Sequence, residues 1–159
     1  MSLAQQCLAE LNSAQDYFNR STRNLREEDS TFVPAEGMMS AAQQVAHTAH
    51  TVGWFIEGAF RPEGFDMNWA EHAKIVMAYT SVTAAKAWLD KEFAAAVAAI
   101  AGKSDEELTA PLAAGPIMGG LPRTAIFSAL KDHTAHHRGA LTVYARLKGL
   151  VPPMPYMEM

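Results

Sequence analysis

Cysteine is almost missing from this chain: Cys7 is the only one in 159 residues. A lone thiol excludes an intramolecular disulfide and any metal site built on cysteines, and it fits a reducing compartment. Long apolar runs are missing as well. The stretch Ala94 to Ala101 is short and alanine-rich, well under the roughly 18 residues of a membrane span. The N-terminus lacks a basic segment followed by an apolar one, so no secretory signal is expected and a cytoplasmic location is. Clustered positive charge is also missing. The 13 Lys and Arg are scattered among 17 Asp and Glu, giving a net charge of -4. Without a basic patch interleaved with aromatics, a nucleic-acid partner is not expected. Charged residues make up only 19% and hydrophobic ones 49%, the balance of a folded globular protein. The length predicts a single domain over residues 1–159.

Strand-like alternation is scarce, and helical periodicity fills most of the chain. A first helix is predicted from about Leu3 to about Leu25, with Leu3, Cys7, Leu11, Ala14 and Phe18 on one face. The following loop, Arg26 to Gly37, carries a polar run, Glu27 to Thr31, that reads as solvated. A second helix covers about Met39 to Phe60. Ser40 and Gln43 form a capping-box pattern at its start. Val45, Ala49, Val52, Ile56 and Ala59 make its apolar stripe, and Arg61-Pro62-Glu63-Gly64 ends it. A third, very long helix is predicted from about Asn68 to Ile100, with a seam of Ile75, Tyr79, Val82, Lys86 and Leu89. Leu108 to Leu121 is rich in Pro and Gly and reads as an extended loop with room for a short hairpin, long enough to be functional. The fourth helix starts near Pro122 and runs to about Lys148, closed by Gly149. The proline-rich tail from Val151 to Tyr156 cannot be helical and is expected to pack across one end. Four long helices predict an all-α four-helix bundle.

The chemistry concentrates in the fourth helix. Asp132-His133-Thr134-Ala135-His136-His137-Arg138 places three of the six histidines within five residues. His133 and His137 are spaced i, i+4, one turn apart on one face, as a helix offers two nitrogens to one metal ion. They share the inward face with Ile126, Leu130, Leu141 and Tyr144, where an unpartnered imidazole is costly. A third ligand must come from another helix. His47 and His50 lie on the second helix, off its apolar stripe, and His47 shares a side with Trp54. Periodicity alone does not separate the two. His136 points about 100° away from His137 and reads as a helix flank. Asp132 reads as exposed. So does His72, beside Glu71 and Lys74.

The run from His133 to Leu141 resembles the fourth-helix motif of the DinB/YfiT-like family: a histidine, three residues, then His-Arg-Gly. The segment Ala41 to His47, followed by Trp54-Phe55, is similar to that family's second-helix histidine with an aromatic two turns on. The resemblance spans most of the chain. It implies a bundle in up-up-down-down order, usually a homodimer. It also implies a divalent metal, often nickel or zinc, held by His47, His133 and His137. Ala140 departs from the pattern, standing where the family often has Gln. The functions implied are metal-dependent transfer involving a low-molecular-weight thiol, or hydrolysis, on a small-molecule substrate. The alternative is a non-catalytic dimeric stress-response or small-ligand-binding protein with a structural metal. Arg138 is a candidate anchor for an anionic substrate, and the Leu108 to Leu121 loop a candidate pocket wall.

Overall fold

The computed structural model describes residues 1–157. Four long helices build it: α1 (Leu3–Thr22), α2 (Ala41–Phe60), α4 (Val82–Ala101) and α6 (Ala125–Leu147). Two short ones, α3 (Trp69–Met77) and α5 (Asp105–Thr109), lie in the connections. The expected all-helical bundle is what forms. The described residues contain no strand, only an isolated antiparallel bridge between Pro111 and Pro122.

Several sequence signals act as read. Ser40 and Gln43 form the reciprocal capping box at the start of α2, with Gln43 N donating to Ser40 Oγ and Ser40 N to Gln43 Oε1. Gly149, at φ +77°, ends α6 in the left-handed conformation that glycine adopts without penalty. Gly149 N then bonds Arg146 O and Leu150 N bonds Ala145 O, which closes the last turn. The tail folds back along α1, where Val151 O accepts from Asn24 and Pro155 O from Arg20.

The third helix is not continuous. It breaks at Ala78 to Ser81, with no proline or glycine to force the break. The new helix start is capped by its own Ser81 and by a distant segment. Ser81 Oγ accepts from Ala84 N, Glu27 Oε2 accepts from Thr83 N, and Ser30 Oγ accepts from Val82 N. Three of the amides left over at a new helix start are thereby satisfied, and the Glu27 carboxylate sits at the positive end of the α4 dipole. The Thr83 amide first, and then the hydroxyls of Thr83, Ser81 and Ser30, hold the Glu27 carboxyl below its ordinary pKa. The Glu27 to Thr31 run is therefore a capping element as well as a partly solvated loop: Asp29 and Ser30 are buried, whereas Glu27, Glu28 and Thr31 are exposed as expected. The break also rotates the predicted seam, leaving Ile75 exposed and Val76 buried. Lys86 reaches back to donate to Thr22 O and Leu25 O, covering the carbonyl end of α1.

Contacts along the bundle fix the chain directions. Lys86 meets Thr22 and Asp90 meets Gln15, so α1 and α4 are antiparallel. Gln44 meets Tyr144 and Ala59 meets Arg123, so α2 and α6 are antiparallel. His50 packs on Trp88 and Gly53 on Glu92, so α2 and α4 run parallel. Arg138 packs on Tyr17 and Val151 lies by Asn24, so α1 and α6 run parallel. The order is up-down-down-up, which corrects the expected up-up-down-down. Two parallel neighbours, α2 and α4, need a connection that returns the full length of a helix, about 30 Å for 20 residues. Residues 61–81 make that return, and α3 lies within them.

One apolar core fills the bundle. It includes Leu11 and Phe18 of α1, Val45 and Val52 of α2, Leu89 and Phe93 of α4, and Leu130 and Leu141 of α6. The returning segment is pinned to α2 by Phe65, whose ring lies where a Cβ on Gly58 would stand. Gly58→Ala should therefore lower stability by about 1–3 kcal/mol through overpacking, although alanine is the better helix former by roughly 1 kcal/mol. Urea unfolding measures this, and a stabilised variant would contradict the packing described.

Candidate metal centre

His47 lies in the second turn of α2, and His133 and His137 lie mid-way along α6. The antiparallel crossing of the two helices brings them together. His133 Nε2 is 3.2 Å from His47 Nε2 and 3.2 Å from His137 Nε2. Two nitrogens bound tetrahedrally to one ion at about 2.0–2.1 Å stand about 3.3 Å apart. The three imidazoles thus fit a common divalent ion. Among the described residues, they are the group of potential ligands that converges in this way.

A hydrogen-bond relay fixes the orientation of one ring. His137 Nδ1 lies 2.6 Å from Gln44 Oε1. Gln44 Nε2 donates to Tyr144 Oη at 3.4 Å, and Tyr144 Oη donates to the Met39 carbonyl at 2.9 Å. The relay ends in a carbonyl, which only accepts. Read back from it, Gln44 presents its oxygen to His137, so Nδ1 carries the proton and Nε2 offers its lone pair. Outer contacts of this kind orient metal-binding histidines. Gln44 supplies this bond from α2; Ala140 on α6 has no group to do so.

The setting keeps the rings neutral. Burial, then the neighbouring His47 and His136, push His133 down to about 4. Burial, then His133, His47 and His136, push His137 down to about 3. His47 is also lowered, first by burial and then by His136. A neutral imidazole is the form that binds a metal.

The other predicted residues fall elsewhere. His50 is outside the converging set, and its ring faces His72 at 4.7 Å between centroids. His136 and Asp132 are exposed, as expected. Arg138, the candidate anchor, does not line the cavity beside the histidines. It lies over the rings of Tyr17 and Tyr156 and ties the tail to α1. His72, expected on the surface, has a side chain only 15% exposed and places Nε2 3.1 Å from the Asp66 carbonyl. The returning segment turns that face of α3 onto α2, which the flanking Glu71 and Lys74 did not reveal.

Beside the three histidines opens a cavity of about 350 Å³. His47 and His133 form part of its floor, and Thr51, Phe55, Val76 and Met77 are among its walls. The predicted wall, Leu108 to Leu121, does not reach it. Residues of that loop line a separate hollow with Glu63 to Met67, and the cavity wall comes from α3 instead.

A bundle with a histidine from one helix facing an i, i+4 pair on its antiparallel neighbour could hold one metal ion. Residues 10–141 match the DinB superfamily, and the chain belongs to it. No functionally curated protein matches. The fold is shared with a DinB-like protein of Bacillus subtilis, YjoA, at TM-score 0.70 and 18% identity, over 97% of this chain and 99% of that one. A DinB-like protein of Bacillus cereus aligns at TM-score 0.69 and 21% identity, over 94% and 92% of the two chains. YfiT of Bacillus subtilis aligns at TM-score 0.68 and 13% identity, over 94% and 91%. YfiT is described as a probable metal-dependent hydrolase with an unusual four-helix bundle topology.

The lowered histidines set a pH dependence for the metal-free protein. In the unfolded chain these rings take up protons near pH 6.5, whereas in the fold His133 and His137 do so only near 4 and 3. Their contribution to stability is fully present above about pH 6.5 and is lost as pH falls toward 4 and then 3. Thermal melts of chelator-treated protein between pH 8 and 4 should show a flat upper region and a falling lower one. A His133→Phe, His137→Phe double variant should flatten the fall. An unchanged pH profile in that variant would remove these rings as its source.

Proposed function

We propose that His47, His133 and His137 bind one divalent ion and that the protein is a metal-dependent enzyme of the hydrolase or thiol-transferase type. The observation that carries this is the cavity directly against two of the three convergent imidazoles. A purely structural ion has no need of an adjoining space for a small molecule. The description of YfiT as a probable metal-dependent hydrolase supports the same reading.

Three neutral imidazoles suit zinc or nickel and bring no negative charge to the site. An ion held by them supplies Lewis acidity and lowers the pKa of a water or low-molecular-weight thiol that binds it. The protein does the remaining work. Gln44 and Tyr144 hold His137 in one tautomer. Phe55, Val76 and Met77 shed water from the cavity and take the apolar part of a small-molecule substrate. His50 and His72, both on the cavity wall, stand where a proton is taken from or returned to a bound molecule. No carboxylate of α6 is needed for that step, and Asp132 is exposed away from the site.

We also propose a homodimer. Val143 at 54% and Leu147 at 60% exposure leave apolar surface on the last turns of α6. No helix among the described residues is long and apolar enough to cross a membrane. The single cysteine accords with a cytoplasmic location.

Protein purified without chelator or affinity nickel should carry one zinc or nickel per chain by mass spectrometry. His137→Ala should lose it, and His136→Ala should keep it. Equal loss in both would defeat the ligand assignment. Light scattering on the same sample should give twice 17.3 kDa, and a monomer would defeat the dimer. Metal-replete protein should also turn over a member of a panel of carboxylic esters, amides and thiol–electrophile pairs. His133→Ala should lower that rate by about 100-fold or more. Identical rates in wild type and variant across the panel would leave a binding role as the better reading.

A further inference from the structure

A second cavity, about 410 Å³, lies between α2, α4 and the returning segment. It shares His50, Trp54 and His72 with the cavity beside the metal centre, so those three side chains form a common wall. Beyond that wall the chemistry changes. The 410 Å³ cavity is lined by Glu57, Asp66 and Glu92 and by the indoles of Trp54 and Trp88. Neither cavity has a lysine or arginine in its lining.

Its indole N–H donors are already in use. Trp88 Nε1 donates to Glu92 Oε1 at 2.7 Å, and Trp54 Nε1 donates to the Asp66 carbonyl at 2.8 Å. His72 Nε2 lies 3.1 Å from that same carbonyl. What the walls still offer is carboxylate oxygens, aromatic rings and the His50 imidazole. Glu57 pairs with Arg61 at 3.2 Å. Among the described residues, Asp66 and Glu92 have no lysine or arginine at ion-pair distance. Glu92 is moreover held against the wall by design of the helix pair. Its Oε2 would lie 2.5 Å from a Cβ on Gly53, so the carboxylate packs on the bare backbone of that glycine.

An anion would meet three carboxylates and no cation in this space. A neutral apolar group would strip water from those carboxylates without replacing it. An organic cation satisfies both features, since it pairs with carboxylates that have no lysine or arginine partner and lies against the indole rings. We propose that this cavity binds an organic ammonium group. Resting on the enzyme reading above, the small-molecule substrate carries that group at one end and its reacting end in the cavity beside the histidines.

Isothermal titration of the full-length, zinc-loaded protein tests this with choline and with 3,3-dimethylbutan-1-ol, its uncharged carbon isostere. Choline should bind at least about tenfold more tightly than the alcohol, and acetate should not bind. Glu92→Gln keeps the shape and an acceptor for Trp88 but removes the charge. It should weaken choline about three- to tenfold and leave the alcohol unchanged. If Glu92→Gln does not fold by circular dichroism, Asp66→Asn and added salt provide the same comparison, with choline weakened in each. Equal affinity for choline and the alcohol, or undiminished choline binding once the charge is removed, would overturn the proposal. The His137→Ala variant should keep its choline affinity. Lost metal with retained choline binding in wild type would defeat the metal reading alone. Full metal content without choline binding would defeat this inference alone.

Discussion

The structure turns on three lone pairs that face one another. His133 Nε2 sits 3.2 Å from two other ring nitrogens, yet a neutral imidazole nitrogen carries at most one hydrogen. One hydrogen can satisfy one of those contacts. The Gln44–His137 bond commits His137 Nε2 as an acceptor, so it has no hydrogen to offer. Protonating a ring is resisted by burial and by the other rings, which hold His133 and His137 far below the ordinary histidine range. A divalent cation resolves all of this at once, because each of the three rings then needs only to accept. Everything around the triad preserves that arrangement, from the relay through Gln44, Tyr144 and Met39 to the apolar core behind it.

The second constraint is directional. Because α2 and α4 run parallel, the chain must travel back along the bundle before it can begin α4. The return carries α3, and α3 is what converts a pair of crossed helices into a site with walls. Trp69, His72, Val76 and Met77 all reach the cavity from it. The return can end where it does because Ser81, Glu27 and Ser30 satisfy the new helix start. Capping at the start of α4 and pocket formation beside the histidines are therefore linked through one segment of chain.

The two cavities on either side of the His50, Trp54 and His72 wall differ in kind. One is apolar and touches the proposed ligands. The other is acidic and aromatic and lacks cationic groups. An elongated molecule with unlike ends would meet both, and neither lining offers a lysine or arginine to a negatively charged end.

Much of this was set by the sequence alone. The i, i+4 spacing puts His133 and His137 on one helix face whatever the rest of the chain does, because helical geometry is local. The capping box at Ser40 and the stop at Gly149 are local in the same sense. The family pattern singled out His47 where periodicity left His50 equally eligible. Tertiary structure decided the remainder. The break at Ser81 depends on groups more than 50 residues away in the chain, which no local propensity records. The direction of the helices depends on which connection is long enough to span the bundle. His72 became a wall residue, and Arg138 a clamp on the tail, through contacts with elements distant in sequence. The acidic cavity belongs wholly to this second kind: Gly53, Asp66, Trp88 and Glu92 come from three separate segments, and only the packing of α2 against α4 and the returning chain gives them a common space.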